Sequence, residues 1–196
     1  MKVFIGPHEI AGYYANLAKG FRSIGVDCDF ITYNPHPFDY GGETASPLLL
    51  RFSRFCVGYK DRIKNSPSRI RSLLSFLGKI GGAITRSTWA VLTIFKYDVF
   101  IFGFGHSLLR NNLDLYILKL LGKRVVSMIA HGSESRPAYI DGSYQSKNGK
   151  TQPSIDHIKK LTLRNSSKTK RIERLSNVIV GAPFSTSHFL RGKCVN

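Results

Sequence analysis

Acidic residues are the scarcest part of this 196-residue sequence: 12 Asp and Glu stand against 29 Lys and Arg, a formal net charge of +17. Such an excess implies an anionic partner, whether nucleic acid, an acidic bilayer surface or a phosphorylated substrate. Cysteine is also sparse. Cys28, Cys56 and Cys194 are an odd number without CxxC spacing, which supports neither a disulfide framework nor a zinc site and suits a reducing cytoplasm. No GxGxxG dinucleotide fingerprint occurs. The opening MKVFIGPHE has an apolar run too short for a signal-peptide core and reads as a first strand.

Long uncharged apolar stretches are missing too. Leu73–Phe95 is apolar but interrupted by Lys79, Arg86 and three glycines. A membrane span needs about 20 apolar residues, and each central cation would cost about 2.5–3.5 kcal/mol. No transmembrane helix is expected. The stretch reads either as a buried helix pair or as a helix lying on a bilayer surface.

What is present is an ordinary globular composition, 42% hydrophobic and 21% charged, which excludes disorder as the main state. The length suits one domain. Strand-like segments at Lys2–Gly6, Asp27–Tyr33, Asp98–Phe104, Arg124–Ala130 and Asn177–Gly181 are separated by helical patterns. In the first helical pattern, Glu9–Ile24, residues Ile10, Tyr14, Leu17 and Phe21 recur at helical spacing and Gly25 ends the run. Residues 34–46 form a Pro- and Gly-rich loop, and 48–96 a basic helical insertion. Asp114–Leu121 is a short helix closed by Gly122, Ser154–Leu175 a basic helix, and a last short helix starts near Ser185. Strands alternating with helices predict an α/β fold: a single Rossmann-like domain over 1–196, with a mostly parallel sheet of about five or more strands and helices on both faces.

Ligands of such sheets bind beyond the carboxyl ends of the strands. Three of those ends carry glycine beside polar groups. At Gly6-Pro7-His8-Glu9, the glycine suits close approach of a ligand and the following helix offers free N–H groups to an anion; alternatively Glu9 caps that helix. Gly105 and His106 leave the third strand, either at a ligand or in a simple turn. His131, Gly132, Ser133, Glu134 and Arg136 place an imidazole, hydroxyls, a carboxylate and a guanidinium within a few residues. Arg can bind phosphate or carboxylate through paired hydrogen bonds, and His can contact a sugar hydroxyl or move a proton near neutral pH. An internal Glu134–Arg136 ion pair is the competing explanation.

Between Arg51 and Lys96 there are ten Lys/Arg and one acid, Asp61. Ile70, Leu73, Leu74, Leu77 and Ile80 share one helical face there, rimmed by Arg69, Arg71 and Lys79. Together with Arg86 these cations are the candidate membrane contacts. Lys159–Arg174 has seven Lys/Arg but no aromatic residue on which a base could stack. It reads as a solvated face, and no specific nucleic acid is expected as a partner.

Three segments carry a family resemblance. The opening KVFIGPHEIAGYYANLAKGFRSIGVDCDFITY resembles the first βαβ unit of GT-B glycosyltransferases, particularly the family 4 type. KYDVFIFGFGHSLLRNNLDLYILKLLGKRVVSMIAHGSESRP resembles their recurring strand, glycine/histidine exit, helix, strand and HGS-(D/E) loop, and RIERLSNVIVGAP a later segment that closes the N-terminal domain. Residues 34–95 match nothing in that pattern.

The resemblance implies two Rossmann-like domains facing across a cleft, with the acceptor on the N-terminal one and the nucleotide-sugar on the C-terminal one. It sets His131 beside the transferred sugar as the catalytic contact, and the loop at Gly6 near the donor phosphates. No metal or other cofactor is implied, the nucleotide-sugar being a substrate. The sequence stops at Asn196, where the donor domain would begin, so the chain is expected to be the acceptor side alone, as a fragment, a truncated product or one subunit of a split enzyme. Its expected partners are a nucleotide-sugar, a lipid-linked or glycan acceptor, a donor domain or subunit, and an anionic membrane at the inner face of the cell. A non-catalytic basic module for membrane surfaces or nucleic acid is the alternative.

Overall fold

A computed structural model describes residues 1–34, 41, 43–44, 46–62, 68–129, 136–141, 154–181 and 194–195. The chain divides into two compact units, Met1–Asp98 and Val99–Asn196. Both are α/β, and every strand pairs in parallel with a neighbour. The Rossmann-like α/β class read from the alternation of strands and helices is the fold observed.

In the first unit, β1 (Val3–Gly6) pairs with β2 (Cys28–Phe30), Phe4 lying opposite Asp29. All four β1 residues are buried, as expected of a strand covered on both faces. The crossover helix α1 (Tyr13–Ser23) buries Tyr14, Ala15 and Ala18. It starts four residues later than the periodicity predicts, because Ala11 and Gly12 adopt positive φ (49° and 76°) and turn the chain first.

Two helices follow, α2 (Leu48–Arg62) and α3 (Ser68–Lys96). They pack on each other through glycine. A Cβ on Gly78 would lie 2.7 Å from the Cys56 carbonyl oxygen, and one on Gly82 2.9 Å from Val57 Cγ2. Ser53 Oγ donates to the Gly82 carbonyl at 2.9 Å. Glycine inside a helix costs about 1 kcal/mol relative to alanine, so its recurrence here reflects the close approach. Gly78→Ala should therefore lose about 1–2 kcal/mol despite the better helix former, since a backbone carbonyl cannot step aside. Gly81→Ala, whose Cβ would meet only Cys56 Sγ at 3.6 Å, should be neutral or stabilising. Urea midpoints of the two variants check the contrast, and equal midpoints would refute it.

The far end of α3 is tied to the sheet. Phe4 packs on Trp89 and Tyr97 at centroid distances of 5.9 and 5.4 Å. The Tyr97 hydroxyl donates to Asp29 Oδ2 at 2.6 Å, and Lys2 and Lys96 each approach that oxygen to 3.3 Å. Burial alone would raise the Asp29 pKa, but the hydrogen bonds from Tyr97 and Lys2 and the charges of Lys2 and Lys96 outweigh it and hold the carboxyl below its ordinary value.

The second unit holds β3 (Val99–Gly103), β4 (Arg124–Met128), β5 (Val178–Val180) and a two-residue β6 (Cys194–Val195), side by side in that order. The continuous apolar run of β3 is buried apart from its first residue. A single 3-10 turn, Arg110–Asn112, leads into α4 (Asp114–Leu120), which Gly122 closes at φ 67°. A short helix, α5 (Ala138–Asp141), comes next, and α6 (Ile155–Leu175) follows it. Ser154 Oγ caps α6 by accepting from the His157 N–H at 3.2 Å. The short helix expected near Ser185 lies outside the described residues.

Candidate functional site

Parallel pairing puts the strand exits of each unit at one edge. In the first unit the exit is shaped by close backbone contact. Gly6 has φ 143°, and a Cβ there would sit 2.2 Å from the Ile31 carbonyl oxygen. Glycine is therefore required at this position by β2's own exit, whether or not a ligand approaches. Pro7 is buried, and its carbonyl accepts from the Tyr33 N–H at 2.9 Å. His8 is half-buried and packs edge-on against the Tyr33 ring at 5.7 Å.

The free N–H groups expected at the start of α1 are taken. Glu9 Oε1 accepts from the N–H groups of Ile10 (2.6 Å) and Tyr14 (3.2 Å), and Oε2 from that of Ala15 (2.8 Å). Of the two roles open to Glu9, capping is the one observed, and it fills the place an anion would occupy.

Two arginines fasten the helical pair to this exit. Arg54 Nε donates to the Tyr33 carbonyl and Nη2 to the Thr32 carbonyl, both at 2.7 Å, with Glu43 Oε1 3.4 Å away. Arg86 lays its guanidinium over the Tyr33 ring, 4.3 Å from the centroid, and its buried Nε has no hydrogen-bond partner among the described residues. The membrane-contact role expected of Arg86 is thus corrected: a half-buried cation stacked on an aromatic ring is not a free surface charge. Lys79 is exposed as expected, whereas the side chains of Arg69 and Arg71 lie outside the described residues.

In the second unit the exit of β3 is held by a dense set of hydrogen bonds among the described residues. Phe104, Asn111 and Asn112 have φ of 58°, 59° and 56°, and Gly105 also has 58°. Positive φ is costly for a side-chain-bearing residue and persists only where surroundings enforce it. Here the enforcement is buried and polar. Asp114, fully buried, accepts from Ser107 Oγ and from the N–H groups of Leu108 (2.9 Å) and Leu109 (3.1 Å). Asn112 Oδ1 accepts from the Ser107 N–H at 3.2 Å and lies the same distance from Ser107 Oγ, and Asn112 Nδ2 donates to the Gly105 carbonyl at 3.0 Å. Burial raises the Asp114 pKa, against the opposing pull of the hydrogen bonds from Ser107, Leu109 and Leu108.

This frame presents His106 as an exposed side chain at the carboxyl end of β3. Beside it comes a residue that the sequence does not mark out, Lys168 on α6. Its Nζ lies 3.4 Å from the Phe104 carbonyl and 3.5 Å from His106 Nε2. Gly105 makes the approach possible, since a Cβ there would meet Lys168 Cε and Ile172 Cδ1 at 3.3 and 3.2 Å. Arg171 donates to the Asn111 carbonyl at 2.6 Å. One turn before Lys168, Asn165 Nδ2 donates to the carbonyl of Arg136 at 3.4 Å. Arg136 is half-buried, and its buried Nε lacks a partner among the described residues.

The helix read as a merely solvated basic face is therefore amphipathic in a second sense. Thr162, Asn165, Lys168 and Ile172 recur every three or four residues, and each meets the strand-exit loops or the core. That spacing was the available signal, masked by the seven cations around it. An ammonium, an imidazole and one turn away a guanidinium-bearing segment make an edge suited to hydroxyl- and phosphate-bearing ligands.

His131, Gly132, Ser133 and Glu134 lie outside the described residues, and so does the proposed Glu134–Arg136 pair. Among the described residues no group of three or more His, Cys, Asp or Glu could hold a metal ion, and no helix is long and apolar enough to cross a membrane. No family model, curated protein or solved structure matches the chain. The class that stands on the fold is α/β with parallel, Rossmann-like pairing, and any narrower assignment is a matter of function.

Proposed function

We propose that this chain is the acceptor-binding side of a GT-B-like glycosyltransferase, which moves a sugar from a nucleotide-sugar to a lipid-linked or polysaccharide acceptor in cell-surface glycan assembly. The observation that carries the reading is the paired His106 and Lys168 at the carboxyl end of β3, held by a strained loop over a buried Asp114. Strand exits of parallel α/β sheets are where ligands of this fold class bind. Strain concentrated at one such exit marks it further.

In this reading Lys168 neutralises a phosphate of the acceptor and His106 hydrogen-bonds a sugar or phosphate oxygen. Arg136, on the segment that Asn165 holds, is the further contact proposed for the same ligand. His131 is the proposed catalytic contact with the transferred sugar. Transfer itself needs a nucleotide-sugar-binding domain, in cis or in trans. An acceptor on a lipid carrier puts the chain at the inner face of the cell membrane as a peripheral protein.

The test is titration with a sugar linked to a short polyprenyl diphosphate. Lys168→Ala and His106→Ala should each weaken binding by about 5–150-fold, the equivalent of one charged or polar contact of about 1–3 kcal/mol. His106 is exposed and its variant should keep the melting temperature of the parent chain, whereas Lys168 is half-buried and donates to the Phe104 carbonyl, so binding is compared on the folded fraction of each variant. Unchanged affinity in both variants would remove the site from the proposal.

A further inference from the structure

We infer that the outward face of α3 is a bilayer-docking surface, which lies flat in the interface of an anionic membrane. This deepens the membrane part of the proposed function, and it is tested without any sugar chemistry. A helix at the surface of a globular protein is normally apolar on one side only. α3 is apolar on two. Trp89, Ala90, Thr93 and Ile94 are buried. Leu73, Leu77, Ile80, Ile84, Val91 and Phe95 are between 41% and 66% exposed. At 100° per residue those six fall within an arc of about 60° along the helix, on the side away from Trp89 and Thr93. Phe76 and Leu92, 59% and 56% exposed, flank the arc.

Of the two readings of this stretch, a buried helix pair would cover this face, and it is open. α2 and α3 do pack together, but through Ser53, Cys56 and Val57 against Gly78 and Gly82, which leaves Leu73, Leu77 and Ile80 outside. α2 adds exposed apolar residues of its own, Leu48, Phe52 and Phe55, at spacings of four and three. Exposed apolar surface on this scale marks an interaction site.

Charge selects the occupant. The α3 sequence has five cations and no Asp or Glu; Arg86 is stacked on Tyr33 and Lys96 reaches Asp29, which leaves Arg69, Arg71 and Lys79 to meet the headgroups. With α2, the stretch from Arg51 to Lys96 has ten cations and one acid. A second copy laid on this face would set cations against cations. A layer of anionic headgroups supplies the opposite sign, and acyl chains take the apolar stripe, as for interfacial helices. The same helix is not apolar enough to span, which fits lying on the surface.

The experiment is cosedimentation of the whole chain with phosphatidylcholine vesicles, with and without phosphatidylglycerol. Binding should require phosphatidylglycerol and weaken with added salt. Leu77→Glu combined with Ile84→Glu should lower the partition coefficient about tenfold or more, because each change sets a carboxylate in the stripe. The melting temperature should be unchanged, since both positions are more than half exposed. Should that pair unfold, Leu73→Ser with Phe76→Ser makes the same test without new charge. Equal binding by parent and folded variants would overturn the inference. So would a parent chain that ignores vesicles but self-associates, with the variants monomeric, for then the face joins copies of the chain.

Discussion

Asp114→Ala is expected to destabilise the protein by about 2–4 kcal/mol, because it strands two buried donors and one part-buried one at once. Ser107 Oγ and the N–H groups of Leu108 and Leu109 all point at this carboxylate, which is fully buried. In a chain of this length that is a fall in melting temperature of about 5–15 °C. Asp114→Asn keeps one acceptor oxygen and should lose less. Its pH dependence adds a sign. The folded pKa of Asp114 is raised, chiefly by burial, so its linked contribution to stability is full below the ordinary carboxylate value and falls as pH rises through the raised one. The stability gap between the parent chain and Asp114→Asn should therefore narrow as pH rises from acid to neutral. Denaturant unfolding at several pH values measures it, and a gap that widens with pH would contradict the burial account.

Gly6→Ala should cost about 3–5 kcal/mol. The backbone at φ 143° belongs to a region that is essentially glycine's alone. The added methyl carbon would also lie 2.2 Å from the Ile31 carbonyl oxygen, well inside contact distance. That oxygen cannot move alone, since Ile31 donates to Ile5 and Tyr33 to Pro7 across the same exit. Relief needs β1 and β2 to part, which disrupts the core around Phe4. A melting temperature about 10 °C lower or worse is expected. A variant within a degree or two of the parent would mean that the exit is looser than described.

The contrast between these positions shows how much the sequence discloses. Gly6 is visible in it as a glycine at a strand end, and the obvious inference is a ligand approaching the backbone. The neighbour that excludes a Cβ is instead Ile31, 25 residues on, and no local pattern reveals that. Strand runs such as Val99–Gly103 are legible because burial on both faces demands continuous apolar residues. The Rossmann-like class follows from their alternation with helices. The start of α1 is misread because periodicity alone ignores the left-handed turn at Ala11–Gly12, although Glu9 as its cap is a recognisable alternative.

Among the candidate site residues, His106 is legible because glycine and histidine leave a buried strand together. Lys168 is not, because its role depends on α6 passing 3.5 Å from that loop, a tertiary contact across 62 residues. Arg86 shows the reverse error. A cation in a basic, apolar stretch looks like a surface contact, yet it is stacked on Tyr33, which only the packing of α3 against the β2 exit decides.

The most direct measurement on the proposed function is equilibrium binding of the unmodified chain to the same sugar-linked polyprenyl diphosphate. Random-sequence duplex DNA at matched salt serves as the competing anion. Saturable binding of the acceptor, retained when DNA is in excess and lost together with His106 and Lys168, is the expected result. Binding that DNA displaces fully, or no saturable binding of the acceptor at all, would leave only a basic surface and contradict an acceptor site at the β3 exit.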